Sequence, residues 1–256
     1  MLDALYISAI GLQAQKQQLD TVASNLSNVN TPAYKRQSVD FSSVLDRSPM
    51  GQSVGTGTGA SAEAKPGRML RYDMAQGDLH PTGRPLDVAI GGVGFVEVDL
   101  PGGVTGYSRA GSLQVNAEGG LSLTNGFALK ADIRVPGNAG DLQIQPDGSV
   151  TATLAGENAS TVLGQIELVS FSNPEAMQYR GDGLFTAPAG SADPTRARPG
   201  QEGLGSLVAG NLEGSNVSLE NEMVAMMLMQ RVYELNSKVV QTADELMGMS
   251  NNLRRG

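Results

Sequence analysis

The sequence predicts an α+β fold in which long N- and C-terminal helices pair as a coiled-coil stem and carry a central antiparallel all-β domain. Two observations predict the stem: heptad leucines near the N-terminus, and apolar residues in steps of three and four near the C-terminus. The third is a period of two between glycine-rich turns in the middle of the chain. We therefore predict a helical domain (1–32 and 215–256), extended connectors (33–84 and 188–214) and a β domain (85–187).

The first helix is predicted from the N-terminus to about residue 30. Its apolar stripe consists of leucines at one heptad position: Leu5, Leu12, Leu19 and Leu26. We expect the helix to end before Pro32, because proline forces the residue before it out of the α conformation. Asn25 and Asn28 lie in the last turns. We interpret Asn25, Asn28 and Pro32 as a stop that redirects the chain toward the first connector.

The first connector is rich in small polar residues, glycine and proline, which predicts extended, irregular backbone. From Pro85 onward, the period of two indicates strands. Hairpins are predicted where turn residues separate two alternating runs, around residues 116–120 and around residues 146–148. Short strands spaced by such turns are typical of a sandwich or a partial barrel.

The last helix is predicted to begin after Ser218, which can cap it, and to run to about residue 252. Glu220 and Glu222 in its first turn complement the helix dipole. Its strongest seam positions are apolar: Leu228, Val232, Leu235, Val239 and Leu246. Methionines spread the apolar surface beyond this seam, and methionine adapts to several slightly different contacts.

These two stripes allow two interpretations. In the simpler one, the helices pair only within one chain and close a monomer. In the other, they also pack against neighbouring copies of the chain. The wide, methionine-rich face of the last helix favours the second interpretation, since one partner helix cannot cover it.

Composition excludes several function classes. The formal net charge of −8 argues against nucleic-acid binding, which needs a basic face. There are 0 cysteines and 1 histidine, His80, so thiolate chemistry and multi-histidine metal sites are excluded. No apolar run is long enough to span a membrane as a helix. The N-terminus has no basic region followed by a cleavage pattern, so we expect no cleaved signal peptide.

Catalytic patterns are weak. His80 lies in the irregular connector, and Glu97 and Asp99 share the polar face of a predicted strand, where solvation explains them. The glycine-rich run at residues 55–59 lacks the lysine and the following helix of a phosphate-binding loop. A structural subunit therefore fits the sequence better than an enzyme does. A soluble coiled-coil adaptor with a β binding head, or a carbohydrate-active enzyme that uses Glu97 or Asp99, are the alternatives.

Four stretches, in order along the chain, resemble motifs of the bacterial flagellar rod and hook family. Residues 23–36 are similar to its N-terminal signature, and residues 85–96 to its entry into the β domain. Residues 107–113 resemble its Tyr-Thr/Ser-Arg-x-Gly motif, while residues 212–218 and 230–238 resemble its C-terminal signature. The resemblance points to these motif residues: Asn25, Leu26, Asn28, Thr31, Pro32, Ser215, Asn216, Val217, Gln230, Arg231 and Tyr233.

Within the family, the length and residues 230–238 are most similar to the distal-rod branch. The proximal-rod branch is a close rival, because residues 83–87 resemble it. The resemblance implies a non-enzymatic subunit, without cofactor or metal, that forms an open helical homo-oligomer and transmits motor torque to the hook. It implies contacts with other rod proteins, the hook protein and the P and L ring proteins. It also implies export by the flagellar type III machinery, without a cleaved signal peptide, to the periplasm-spanning rod of the basal body.

Overall fold

The chain forms two compact units. The computed structural model describes residues 2–39, 70–109, 111–131, 133–155, 160–188 and 190–253. The first unit, here called the helical unit, comprises Met1–Val29, Gln37–Arg71 and Val217–Gly256. The second, here called the β body, comprises Asn30–Arg36 and Tyr72–Asn216. The glycine-rich run at residues 55–59 lies outside the described residues.

The described part of the helical unit contains two helices, α1 (Leu2–Ser27) and α2 (Leu219–Leu253). A short strand, β1 (Gln37–Val39), follows α1 and pairs with β2 (Leu70–Tyr72). The Ser218 hydroxyl accepts a hydrogen bond of 3.4 Å from an amide in the first turn of α2, as expected of an N-cap. Within the described residues, neither helix combines the length and the hydropathy needed to cross a bilayer.

The β body is built from short strands joined by glycine turns, because the alternating pattern is interrupted by a turn every few residues. Its strands are β3 (Leu79–Pro81), β4 (Val88–Gly91), β5 (Val96–Leu100), β6 (Val104–Ser108), β7 (Leu113–Val115), β8 (Leu121–Leu123), β9 (Ala139–Ile144), β10 (Ser149–Leu154), β11 (Ser160–Gln165), β12 (Leu168–Ser170), β13 (Gln178–Gly181), β14 (Leu184–Thr186), β15 (Thr195–Ala197), β16 (Ser206–Ala209) and β17 (Asn211–Glu213). A 3₁₀ turn, Pro174–Ala176, precedes β13.

The strands pair antiparallel in several small sheets. The largest has the order β13-β14-β6-β5, and another has the order β11-β10-β9. The remaining strands of the body form the pairs β7-β8, β12-β15, β16-β4 and β17-β3. The pairing of β17 with β3 sets Glu213 opposite Leu79. Residues from the beginning and the end of the body therefore lie side by side.

Two apolar clusters form the core of the body. The larger is aliphatic and contains residues such as Val98, Val150 and Leu168, which are fully buried. The smaller is largely aromatic and is centred on Phe185, whose ring packs at 5.6 Å against Tyr72 and at 5.3 Å against Tyr179. Although aromatic residues make up only 4% of the chain, most of them meet in this cluster, where edge-to-face packing adds stability.

The predicted coiled-coil stem is wrong, although the α+β class fits in part. The described residues form one N-terminal helix of 26 residues and one C-terminal helix of 35 residues. A coiled coil buries its seam, yet Leu228, Leu235 and Val239 are 53%, 62% and 57% exposed. The reason is physical: heptad spacing shows that one face of a helix is apolar, but it does not show that another segment of the same chain covers that face.

Candidate functional site

The end of α1 is shaped by two asparagines. The Asn28 amide nitrogen donates to Ser24 O at 2.8 Å, and its backbone N–H donates to Ser24 O and to Asn25 O. These bonds satisfy carbonyls at the end of the helix, which closes at Ser27. Ala33 then adopts a positive φ of 56°, which turns the chain sharply after Pro32.

Asn25 joins three parts of the helical unit. Its side chain is buried and makes two hydrogen bonds to the backbone of Gln37, as a neighbouring strand would. Nδ2 donates to Gln37 O at 2.9 Å, and Oδ1 accepts from Gln37 N at 2.8 Å. The same Nδ2 lies 3.3 Å from Oε2 of Glu222, a fully buried carboxylate in the first turn of α2. Asn25 therefore connects α1, β1 and α2 at one point.

We expect Asn25→Ala to lower the free energy of unfolding by about 2–3 kcal/mol, because the half-buried Gln37 backbone groups and the buried Glu222 carboxylate each lose a partner. Urea denaturation followed by circular dichroism measures the change. Asn30→Ala is the matched control, since Asn30 is exposed in the same segment. Equal stability of the two variants would contradict a structural role for the Asn25 amide.

A buried charge cluster lies in the β body, and we define it by Lys35, Arg109 and Glu213. Lys35 Nζ is 2.6 Å from Glu213 Oε1, and Arg109 Nε is 2.9 Å from Glu213 Oε2. All three side chains are buried. One carboxylate thus faces two cations, and buried cations require further acceptors to offset their lost hydration.

Backbone carbonyls supply those acceptors. Arg109 donates to Gly92 O and to Gly94 O, each at 2.9 Å, and its guanidinium lies 5.8 Å from the centre of the Phe95 ring. Lys35 donates to Ala75 O at 2.6 Å. Burial lowers the pKa of Lys35, and the nearby Arg109 lowers it further, although the Glu213 carboxylate opposes both effects. Of the two cations, Arg109 therefore has more hydrogen-bond acceptors around it.

Glycine is required beside the charge cluster. The Gly77 N–H donates to Glu213 Oε1 at 3.0 Å. A Cβ atom built on Gly77 would overlap the backbone oxygen of Gly214, which cannot move without displacing the strand next to it. The close approach of these two backbones lets the Glu213 carboxylate reach an amide as well as both cations.

Asn216 ties the segments beside the cluster together. Its Oδ1 accepts from Arg36 N at 2.7 Å, and its Nδ2 donates to Asp73 O at 2.8 Å and to Ala75 O at 3.0 Å. Its own N–H donates to Tyr34 O at 3.4 Å. One predicted motif residue therefore holds backbone from two other segments.

The exposed face of α2 is apolar. Leu228, Val232, Leu235 and Val239 are between 37% and 62% exposed, and they recur at the spacing of one helix face. We define these four residues as the α2 stripe. Ala225, Met226 and Met229 are half-buried, so a different face of α2 is covered within the chain.

The other residues predicted from the sequence have diverse environments. Half-buried are Leu12, Leu19, Leu26, Asn28, Thr31, Ser215 and Asn216, whereas Val217 is buried. Exposed are Pro32, Gln230, Arg231 and Tyr233. Leu5 and Leu246 lie in α1 and α2, but their side chains are outside the description.

The residues considered for catalysis, which are His80, Glu97 and Asp99, lie in strands of the β body. Glu97 receives a two-pronged ion pair from Arg196, with N–O distances of 3.1 and 2.9 Å. His80 lies in β3, opposite Leu212 of β17. Across the described ranges, no three acidic or histidine side chains converge in a way that could hold a metal ion.

Sequence reasoning gave no role to Lys35, Arg109 or Glu213, and it gave Glu222 only a favourable interaction with the helix dipole. The first three lie inside stretches that resemble family motifs, and the available signal was that each is a charged residue within such a motif. Their pairing was not readable, because partners in the cluster are 104 and 178 residues apart.

Comparison with known proteins finds three family models, which match three separate stretches of the chain. A family model described as "Flagella basal body rod protein" matches residues 5–35. A model for the "Flagellar hook protein FlgE/F/G D1 domain" matches residues 89–152, and one for the "Flagellar basal body rod FlgEFG protein C-terminal" matches residues 208–253. Lys35, Arg109 and Glu213 each fall in a different match.

Similarity also extends over the whole length. The flagellar basal-body rod protein FlgG of Borreliella burgdorferi is 36% identical over 100% of both chains. The chain belongs to the flagellar basal-body rod protein family. The FlgG protein of Caulobacter vibrioides is 35% identical over 99% of this chain and 100% of its own, and the FlgF protein of Escherichia coli is 32% identical over 98% of each.

Membership of the rod family confirms the resemblance found in the motifs and the prediction of a structural function. It also confirms the expectation that the chain is not an enzyme, since the relatives are rod proteins. It places the chain in the flagellar basal body, in assembly with other rod and hook components.

Proposed function

We propose that the chain is a distal-rod subunit that polymerises helically with copies of itself, and that its terminal helices supply the contacts. The observation that carries this proposal is the exposed α2 stripe. Four aliphatic side chains at heptad spacing form the surface by which one helix lies along another. Full burial of each would contribute about 1.5–3 kcal/mol, and roughly half of that remains to be gained.

A neighbouring subunit is the natural occupant of the stripe. An open helical polymer needs contacts between unlike surfaces that do not close into a ring. A stripe on one side of α2, with a separate covered face on the other, meets this need. The seam proposed for assembly comprises Leu5, Leu12, Leu19, Leu26, Leu228, Val232, Leu235, Val239 and Leu246.

The wider setting follows from the family. The polymer would act as the drive shaft that crosses the periplasm and transmits motor torque to the hook. Its further partners would be other rod proteins, the hook protein, and the surrounding P and L ring proteins. The absence of cysteine suits an oxidising compartment. Export through the flagellar type III machinery would need no cleaved signal peptide.

Fractionation tests the proposal. We expect the protein to co-purify with detergent-resistant basal bodies. Rescue of swimming in cells that lack either their FlgG-type or their FlgF-type protein separates the two branches. A purely cytosolic pool would contradict the proposal and favour a soluble adaptor with a β binding head.

A further inference from the structure

Every covalent link between the two units leaves from one small region of the β body. The unit boundaries fall after Val29, after Arg36, after Arg71 and after Asn216. The body residues next to these boundaries belong to three segments, which are residues 30–36, residues 72–77 and residues 211–216.

Hydrogen bonds join these three segments to one another. Ala33 N donates to Glu213 O at 2.8 Å, and Asp73 N donates to Arg36 O at 2.9 Å. The Asn216 side chain bonds both of the other segments, as described above. We define residues 33–36, 73–77 and 213–216 as the clasp.

The charge cluster fixes the clasp to the rest of the body. Lys35 and Glu213 belong to the clasp, whereas Arg109 follows β6 and is held by carbonyls next to β4. Glu213 therefore bonds a clasp segment through Oε1 and the rest of the body through Oε2.

We propose that the clasp is a single cooperative anchor whose closure depends on the Glu213 carboxylate. The N-terminal and the C-terminal clasp segments open together, even though they are far apart in sequence. Force that passes along the chain from one unit to the other enters the body through this anchor. This inference concerns the folded monomer and does not rest on the proposed polymerisation.

The two cations respond differently when the carboxylate is lost. Arg109 keeps its bonds to Gly92 O and Gly94 O, as well as the Phe95 ring. Lys35 keeps one described hydrogen bond of its ammonium group, to Ala75 O, and the more distant charge of Asp73. A buried ammonium that loses its paired carboxylate must give up its proton or move to water, since its desolvation is no longer offset. In either case residues 33–36 lose this anchor and open, while the strands around Arg109 stay closed.

Hydrogen exchange on the full-length monomer, read by mass spectrometry, tests the anchor. In Glu213→Gln, we expect amides of residues 33–36 and of residues 213–216 to exchange at least about tenfold faster, in step with each other. Amides of β9, β10 and β11 should keep their rates. Glu167→Gln is the matched control, because Glu167 is exposed in the same body, and it should change none of them.

A second variant removes clasp bonds without disturbing the buried charges. In Asn216→Ala, we expect the same two segments to exchange faster together, by a smaller factor than in Glu213→Gln. Faster exchange at residues 213–216 alone, in either variant, would overturn the proposal, since the segments would then be held independently. Loss of protection throughout the body in Glu213→Gln would also overturn it, because Glu213 would then support the whole body.

Discussion

Arg109→Ala lowers the free energy of unfolding by about 3–5 kcal/mol. The change removes one partner of a buried ion pair and leaves the carbonyls of Gly92 and Gly94 without their donor. A typical domain has only about 5–15 kcal/mol of stability in total. Urea denaturation followed by circular dichroism measures the loss.

Arg196→Ala provides a matched control for this prediction. Arg196 also pairs with a glutamate, Glu97, and its N–O distance of 2.9 Å equals that of Arg109 to Glu213. The difference is exposure: the Arg196 side chain is 47% exposed and that of Arg109 is 3% exposed. Exposed pairs contribute about 0–1 kcal/mol, so the control should lose at most about 1 kcal/mol. Similar losses in both variants would show that burial does not set the contribution of the Arg109 pair.

Leu235→Asp abolishes swimming while it changes the stability of the purified monomer by less than about 1 kcal/mol. Leu235 is 62% exposed in the α2 stripe, so the monomer loses little packing and only some helix propensity. In a polymer the same position would be buried against a neighbouring subunit, and an unpaired carboxylate there costs several kcal/mol. Swimming assays and thermal denaturation read the two effects separately.

Gln241→Asp is the control for the stripe. Gln241 is exposed on α2 and lies away from the stripe, so the variant adds the same charge with the same helix propensity. We expect it to swim normally. Loss of motility in both variants would show that any added negative charge on α2 interferes. Normal swimming by Leu235→Asp would remove the stripe from the assembly contacts.

Much of the secondary structure could be predicted from the pattern of residues. The period of two around residues 116–120 and 146–148 marks real hairpins, because a turn and two alternating runs are local features. Helix α1 ends at Ser27, close to the expected stop, since Pro32 and the asparagines before it act over one or two turns. These features can be predicted because the residues that determine a turn or a helix end lie within a few positions of it in the chain.

The stem and the charge cluster could not be read in the same way. Heptad spacing gave the apolar face of α2 but not its partner, and an exposed stripe has the same sequence as a buried seam. The pairing of Lys35 with Glu213 depends on β17 lying beside β3, a contact between distant segments that no local period encodes. A single sequence shows the charged residues without showing which of them meet.

The close backbone approach at Gly77 has a consequence for how the gene can vary. Every other amino acid adds at least one carbon where the Gly214 oxygen already lies. Only synonymous changes of the codon for position 77 therefore leave the fold undisturbed, and we expect any change of the amino acid to destabilise it. This expectation rests on a shortage of space alone, independently of any partner that the subunit binds.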